Sequence, residues 1–233
     1  MCSLNGYKIV NDSIISLEFK DPSNLIVGSE CGQVILIDLR ENFKENKGFQ
    51  VVGLHNGEAC KVKYSSSMNY IISGGNDNSV QIFDIRKWKL IKKINYLSAV
   101  KAIDIDDNKH RMITGGGTHD KTLRYYDLTT LKELSSKNLD SQISNVFFLP
   151  NDLFIASMGY VSNSIELVKL NENILSQKIS FESHYKRILY LSKSPCENYA
   201  LSASVDGCVK LWNLSNFYNK RESVLDINQL SLR

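Results

Sequence analysis

The sequence predicts an all-β propeller. Three observations carry that expectation: a dipeptide slot that returns at near-constant spacing, short apolar runs parted by turn residues, and no long helical pattern. The slot is Ile37-Asp38, Phe83-Asp84, Tyr126-Asp127, Val168-Lys169 and Trp212-Asn213, whose second residues lie 46, 43, 42 and 44 apart. That period is the length of a four-stranded blade. Five repeats are therefore expected over residues 1–214, with a polar tail over 215–233.

Within the repeats, Ile14 to Phe19, Leu25 to Val27, Val34 to Leu39, Lys61 to Tyr64 and Val80 to Ile85 read as strands, with apolar residues that often alternate. Turn residues separate such runs, as in Asp21-Pro22-Ser23, Gly74-Gly75-Asn76-Asp77-Asn78, Gly115-Gly116-Gly117 and Asp206-Gly207. Pro22, Pro150 and Pro195 fall at comparable places, in the turn after the first strand, where a missing N–H costs little. His55 precedes Asp84 by 29 residues and His184 precedes Asn213 by the same 29. In the last repeat His184, Ser202, Asp206 and Trp212 occupy the His, strand Ser, turn Asp and strand Trp places of a WD-repeat blade. They are expected to act as structural anchors, joined by buried hydrogen bonds that tie loop, turn and strand together. Repeat two keeps Ser73 and Asp77 but has Phe83 in the Trp place, so the network is expected to degrade toward the N-terminus.

Composition narrows the function classes. The 28 basic and 25 acidic residues are interspersed and the net charge is +3, which gives no footing for nucleic-acid binding. The cluster Arg86, Lys87, Lys89, Lys92 and Lys93 reads as a solvated edge around a turn. Five cysteines without a Cys-x-x-Cys spacing point to a reducing compartment and away from a disulfide framework or zinc site. Met1 to Val10 does not read as a signal peptide, and no run is apolar enough to span a bilayer, so no membrane partner is expected.

No catalytic constellation is legible. The segment Gly115 to Thr122 has Asp120 where a phosphate loop needs Gly, and no helix follows it. There is no Gly-x-Ser-x-Gly elbow, and the four histidines lack metal-ligand spacing. Neither an enzyme nor a cofactor or metal requirement is expected.

More telling are the departures from the generic repeat. The strand Ser or its equivalent reaches the aromatic slot in 10 residues in repeats two and five, but in 12 from Thr114 to Tyr126 and from Ala156 to Val168. Ser73 to Asn78, Ala99-Val-Lys-Ala102, Thr114 to Thr118, Ser141-Gln142, Gly159-Tyr160 with Asn163, Ser183-His184 with Arg187, and Ser194-Pro195 occur in that order. In this order the segments resemble the Fizzy and Fizzy-related coactivators of the anaphase-promoting complex, WD-repeat substrate receptors of that ubiquitin ligase. The resemblance implies a substrate-recognition subunit of the ligase, found in nucleus and cytoplasm, whose partners are ligase subunits and degron-bearing cell-cycle substrates. It places the docking of Lys-Glu-Asn degrons on Asn76, Asn78, Thr118 and Arg187. Asn and Thr can exchange hydrogen bonds with an amide or ammonium, and Arg can clamp a carboxylate bidentately. The same residues also suit ordinary turns and a solvated strand start. The terminal Leu232-Arg233 is similar to the family's Ile-Arg tail, which docks into a groove of the ligase; the alternative is a frayed end.

The family has seven blades and an N-terminal arm with a short Arg-containing activating motif. Five repeats are counted here, Met1 to Asp12 shows no such motif, and no groove for destruction-box degrons is carried over. Closure of five blades would call on Tyr7 to Val10 as the outer strand of the last one. The rival reading is a general WD-repeat scaffold for protein–protein assembly without degron binding.

Overall fold

The computed structural model describes residues 12–41, 48–182 and 184–218. Its strands form five antiparallel sheets in chain order. Blade 1 comprises β1 (Ile14–Asp21), β2 (Asn24–Ser29), β3 (Gln33–Asp38) and β4 (Phe49–Leu54). Blade 2 comprises β5 (Ala59–Ser65), β6 (Tyr70–Gly75), β7 (Ser79–Asp84) and β8 (Lys89–Asn95). Blade 3 holds β9 (Val100–Asp106), β10 (Arg111–Gly116), β11 (Thr122–Asp127) and β12 (Lys132–Asn138). Blade 4 holds β13 (Gln142–Leu149), β14 (Leu153–Gly159), β15 (Ser164–Asn171) and β16 (Ile174–Glu182). Blade 5 has three strands, β17 (Ile188–Lys193), β18 (Tyr199–Ser204) and β19 (Val209–Asn213), followed by the single turn α1 (Ser215–Tyr218). The five blades form a β-propeller, as the repeat spacing predicts. Tyr7 to Val10, expected as an outer strand, lie outside the described residues, as does the chain beyond Tyr218.

Each blade leaves the same signature in its backbone. At one end, a linker residue just after the outer strand donates to the hairpin joining the second and third strands: His55 to Gly32, Tyr96 to Asn78, Leu139 to Lys121 and His184 to Asn163. At the other end a residue at the end of the third strand or just after it donates to the turn after the first: Leu39 to Ser23, Ile85 to Asn69, Leu128 to His110, Leu170 to Asp152 and Leu214 to Asn198. The molecule thus has two distinct faces, here termed upper and lower. The three prolines lie in the first-strand turns of the lower face. The basic cluster Arg86 to Lys93 lies exposed about the β7–β8 turn and along the outer strand β8.

Alternating strands bury one set of side chains toward each neighbouring blade. The set facing the next blade is Ile26, Val34 and Leu36 in blade 1, then Ile72, Val80 and Ile82, then Ile113, Leu123 and Tyr125, then Ile155, Ile165 and Leu167. Each packs on the following blade, through Val62, Ile103, Val146 and Leu191 respectively. The equivalent residues of blade 5, Leu201, Val209 and Leu211, are 48%, 68% and 60% exposed, and so is Leu17 of blade 1 at 60%. No apolar cluster of the described residues spans blades 5 and 1.

A polar belt runs across the innermost strands. Lys63 Nζ lies 3.3 Å from Glu18 and 3.4 Å from Asp104. Asp104 accepts the Phe148 N–H at 2.9 Å, and Lys193 donates to the Phe148 carbonyl at 3.0 Å. Burial pulls the Lys63 ammonium down, but the Asp104 and Glu18 carboxylates outweigh it and hold its pKa above the ordinary lysine value.

Blade anchors and the candidate recognition face

In blade 5 Trp212 Nε1 donates to Ser202 Oγ at 2.9 Å, Ser202 lies 2.8 Å from His184 Nε2, and His184 Nδ1 lies 3.0 Å from Asp206. Because Ser202 accepts from the indole, its own proton goes to Nε2. The imidazole then keeps its proton on Nδ1 for the carboxylate. Burial pushes the Asp206 carboxyl up, but hydrogen bonds from the Cys208 N–H, His184 and the Tyr185 N–H prevail and lower its pKa to about 2.

Blade 2 repeats the design, with His55 2.8 Å from Asp77 and 2.7 Å from Ser73. Phe83 fills the Trp place by packing alone, and β4 passes so close that a Cβ at Gly53 would strike its ring. Blade 3 corrects the expectation of a network that simply decays. Tyr96 stands in the His place and its hydroxyl lies 2.6 Å from Thr114 and 3.1 Å from the Tyr126 hydroxyl. Asp120 takes the turn Asp role, accepting the Leu97 N–H at 3.0 Å and Arg124 at 3.0 Å. The available signal was spacing, since Tyr96 precedes Asp127 by 31 residues, the 29 of the other blades plus the two-residue insertion.

That insertion is visible in register. Ser73 pairs with Gln81 and Ser202 with Lys210, each eight residues on, whereas Thr114 pairs with Arg124 and Ala156 with Glu166, ten on. The longer hairpins of blades 3 and 4 carry Thr118 and Tyr160 on the upper face.

Asn76, Asn78, Thr118 and Arg187 all lie at this face. Asn76 and Asn78 flank Asp77 in the β6–β7 hairpin. The middle residue turns inward to His55, while the two asparagines are exposed and Asn78 adopts a φ of 59°, which Asn tolerates. Thr118, half-buried, opens the β10–β11 hairpin, which Ser98 Oγ holds through the His119 and Asp120 N–H groups. The side chains of Asn76, Asn78 and Thr118 take no hydrogen bond among the described residues. Arg187 sits just before β17 and donates from Nη1 to the Tyr160 hydroxyl of blade 4 at 2.8 Å. The face therefore presents one polar element on each of four successive blades. Among the described residues, the hydrogen bond joining these side chains is that of Arg187 to Tyr160, and Tyr160 is the participant that residue type alone did not disclose. Leu232 and Arg233 lie outside the described residues. Among the described residues there is no group of three or more His, Cys, Asp or Glu side chains placed to hold a metal, and no helix is long and apolar enough to cross a membrane.

Five four- or three-stranded sheets in chain order, with a His-Ser-Asp-Trp network in blade 5 and variants of it in blades 2 and 3, define a WD-repeat propeller, a fold used for scaffolding and adaptation. Residues 50–84 and 175–213 match the family described as WD domain, G-beta repeat. The chain is 29% identical over 181 residues to Protein FIZZY-RELATED 3 of Arabidopsis thaliana, covering 76% of this chain and 37% of that one. It is 28% identical over 181 residues to B-type cell cycle switch protein ccs52A of Medicago truncatula, covering 76% and 38%. A solved chain in the Crystal Structure of Mitotic Checkpoint Complex superposes with a TM-score of 0.77 at 27% identity, covering 84% of this chain and 60% of that one. Over about three quarters of its length the chain is similar to Fizzy-related WD-repeat proteins. It spans well under half the length of these two curated relatives.

Proposed function

We propose that this chain is a non-enzymatic substrate-recognition coactivator of the anaphase-promoting complex, holding Lys-Glu-Asn degrons on its upper face. The observation that carries the reading is the placement of Asn76 and Asn78 of blade 2, Thr118 of blade 3 and Arg187 of blade 5 on one face, with polar groups that the fold leaves largely unspent. The amides and hydroxyl suit the Lys ammonium and the Asn amide, and the guanidinium suits the Glu carboxylate. The similarity to Fizzy-related and cell cycle switch proteins and the likeness to a chain of a mitotic checkpoint complex support the cell-cycle setting. Leu232 and Arg233 dock on the ligase, so that substrate lysines are held near the ubiquitin-carrying enzyme at high effective concentration. The protein acts in nucleus and cytoplasm.

The test is the affinity of the purified chain for a fluorescent Lys-Glu-Asn peptide beside an all-Ala control. Arg187→Ala should weaken binding by roughly tenfold or more, the worth of a charge-assisted hydrogen bond, with an unchanged circular dichroism spectrum. Equal binding of both peptides, or none by a folded chain, would leave the rival reading of a general WD-repeat scaffold.

A further inference from the structure

The described residues include five arginines, and four of them have a carboxylate of their own. Arg40 pairs with Asp38, Arg86 with Asp84, Arg111 with Asp152 and Arg124 with Asp120. Arg187 has none among the described residues; its partner is a phenol. Nη1 donates to the Tyr160 hydroxyl at 2.8 Å and the guanidinium carbon lies 5.5 Å from the centre of the same ring. The guanidinium is exposed and keeps unfilled donors. Its Nη1 corner is held by Tyr160, which leaves the edge formed by Nε and Nη2, two parallel N–H groups spaced to receive one carboxylate.

Both partners are seated on fixed backbone. The Arg187 carbonyl accepts the Val205 N–H at 3.2 Å and the Ser204 hydroxyl at 3.0 Å. Across the blade boundary, the fully buried Ser141 donates to the Gly159 carbonyl and accepts the Val161 and Ser162 N–H groups, each at 3.2 Å. Tyr160 is pinned between those contacts with a φ of 75°, a conformation more usual for Gly or Asn. A bulky side chain is kept there at some cost in backbone energy, and it stays 60% exposed, so burial of the ring does not account for it.

The geometry points to Tyr160 as a positioning residue: it orients Arg187 across the blade 4–blade 5 boundary so that the upper face selects peptides with a carboxylate at one position and discriminates against the isosteric amide. This deepens the degron reading above and rests on it. The requirement is for a carboxylate on an extended peptide, since a flexible arginine accepts many anions whereas one held by its Nη1 corner favours a planar, two-oxygen acceptor in a fixed plane.

The measurement is the affinity ratio between a Lys-Glu-Asn and a Lys-Gln-Asn peptide for the wild type, Tyr160→Phe, Arg187→Lys and Arg187→Ala. Tyr160→Phe keeps the ring and deletes the hydroxyl, so a purely structural surface contact would leave both stability and ratio in place. The expected result is an unchanged melting temperature with the Glu/Gln ratio lowered about fivefold, the loss of one hydrogen bond. Arg187→Lys should lower the ratio as well, because an ammonium offers no planar fork. If Tyr160→Phe retains the wild-type ratio while Arg187→Ala abolishes it, the positioning role is overturned and the degron reading stands. If Arg187→Ala binds both peptides as the wild type does, the degron reading itself falls, and the positioning role with it.

Discussion

The His184–Asp206 pair shows how one residue type at one spacing becomes a structural element. Trp212, Ser202, His184 and Asp206 pass hydrogen bonds in one direction from third strand to turn, so the loop entering blade 5 is fixed by its side chains. A carboxyl lowered from the ordinary 3.8 to about 2 binds its proton less readily folded than unfolded. Its contribution is therefore complete above about pH 4 and lost as the pH falls toward 2. Urea midpoints measured across that window should show the stability gap between wild type and Asp206→Asn shrinking as the solution is acidified; a gap that is constant with pH would contradict the assignment. Residue identity made this quartet legible in the sequence. Tyr96 was not legible because a phenol does the imidazole's work with a different reach, and Tyr160 was not because its partner lies 27 residues away in another blade.

The blade is the unit in which the apolar pattern has meaning. Ile82, Tyr125, Leu167 and Leu211 occupy one register position on the third strand, and the first three are buried while the last is not. Lysine at that position should then have opposite consequences. Ile82→Lys places an unpaired ammonium in a packed interface and should cost roughly 3–5 kcal/mol, whereas Leu211→Lys should stay within about 0.5 kcal/mol. Chemical denaturation of the two variants checks this, and a large loss in Leu211→Lys would mean that the blade 5 face is covered in solution. The strands and the two-residue hairpin insertions were readable from spacing and turn chemistry. Which apolar residues are buried was not, because strand alternation marks two apolar sides per blade and only the neighbouring blade decides which is covered.

At the scale of the whole molecule, the two faces differ in kind. The lower face is made of the proline-bearing turns after the first strands and the turns after the third, while the upper face gathers hairpins and linkers from successive blades around Asn76, Asn78, Thr118, Tyr160 and Arg187. The belt through Glu18, Lys63, Asp104 and Lys193 ties the innermost strands in register, so elements distant in sequence are held on one platform. The central claim is that this platform is a single recognition surface. Hydrogen exchange with and without a Lys-Glu-Asn peptide tests it most directly. Protection confined to residues 76–78, 118–121, 160–163 and 185–187 is the predicted result. Protection at the lower-face turns around Asn69, His110, Asp152 and Asn198, with the upper hairpins unaffected, would contradict it.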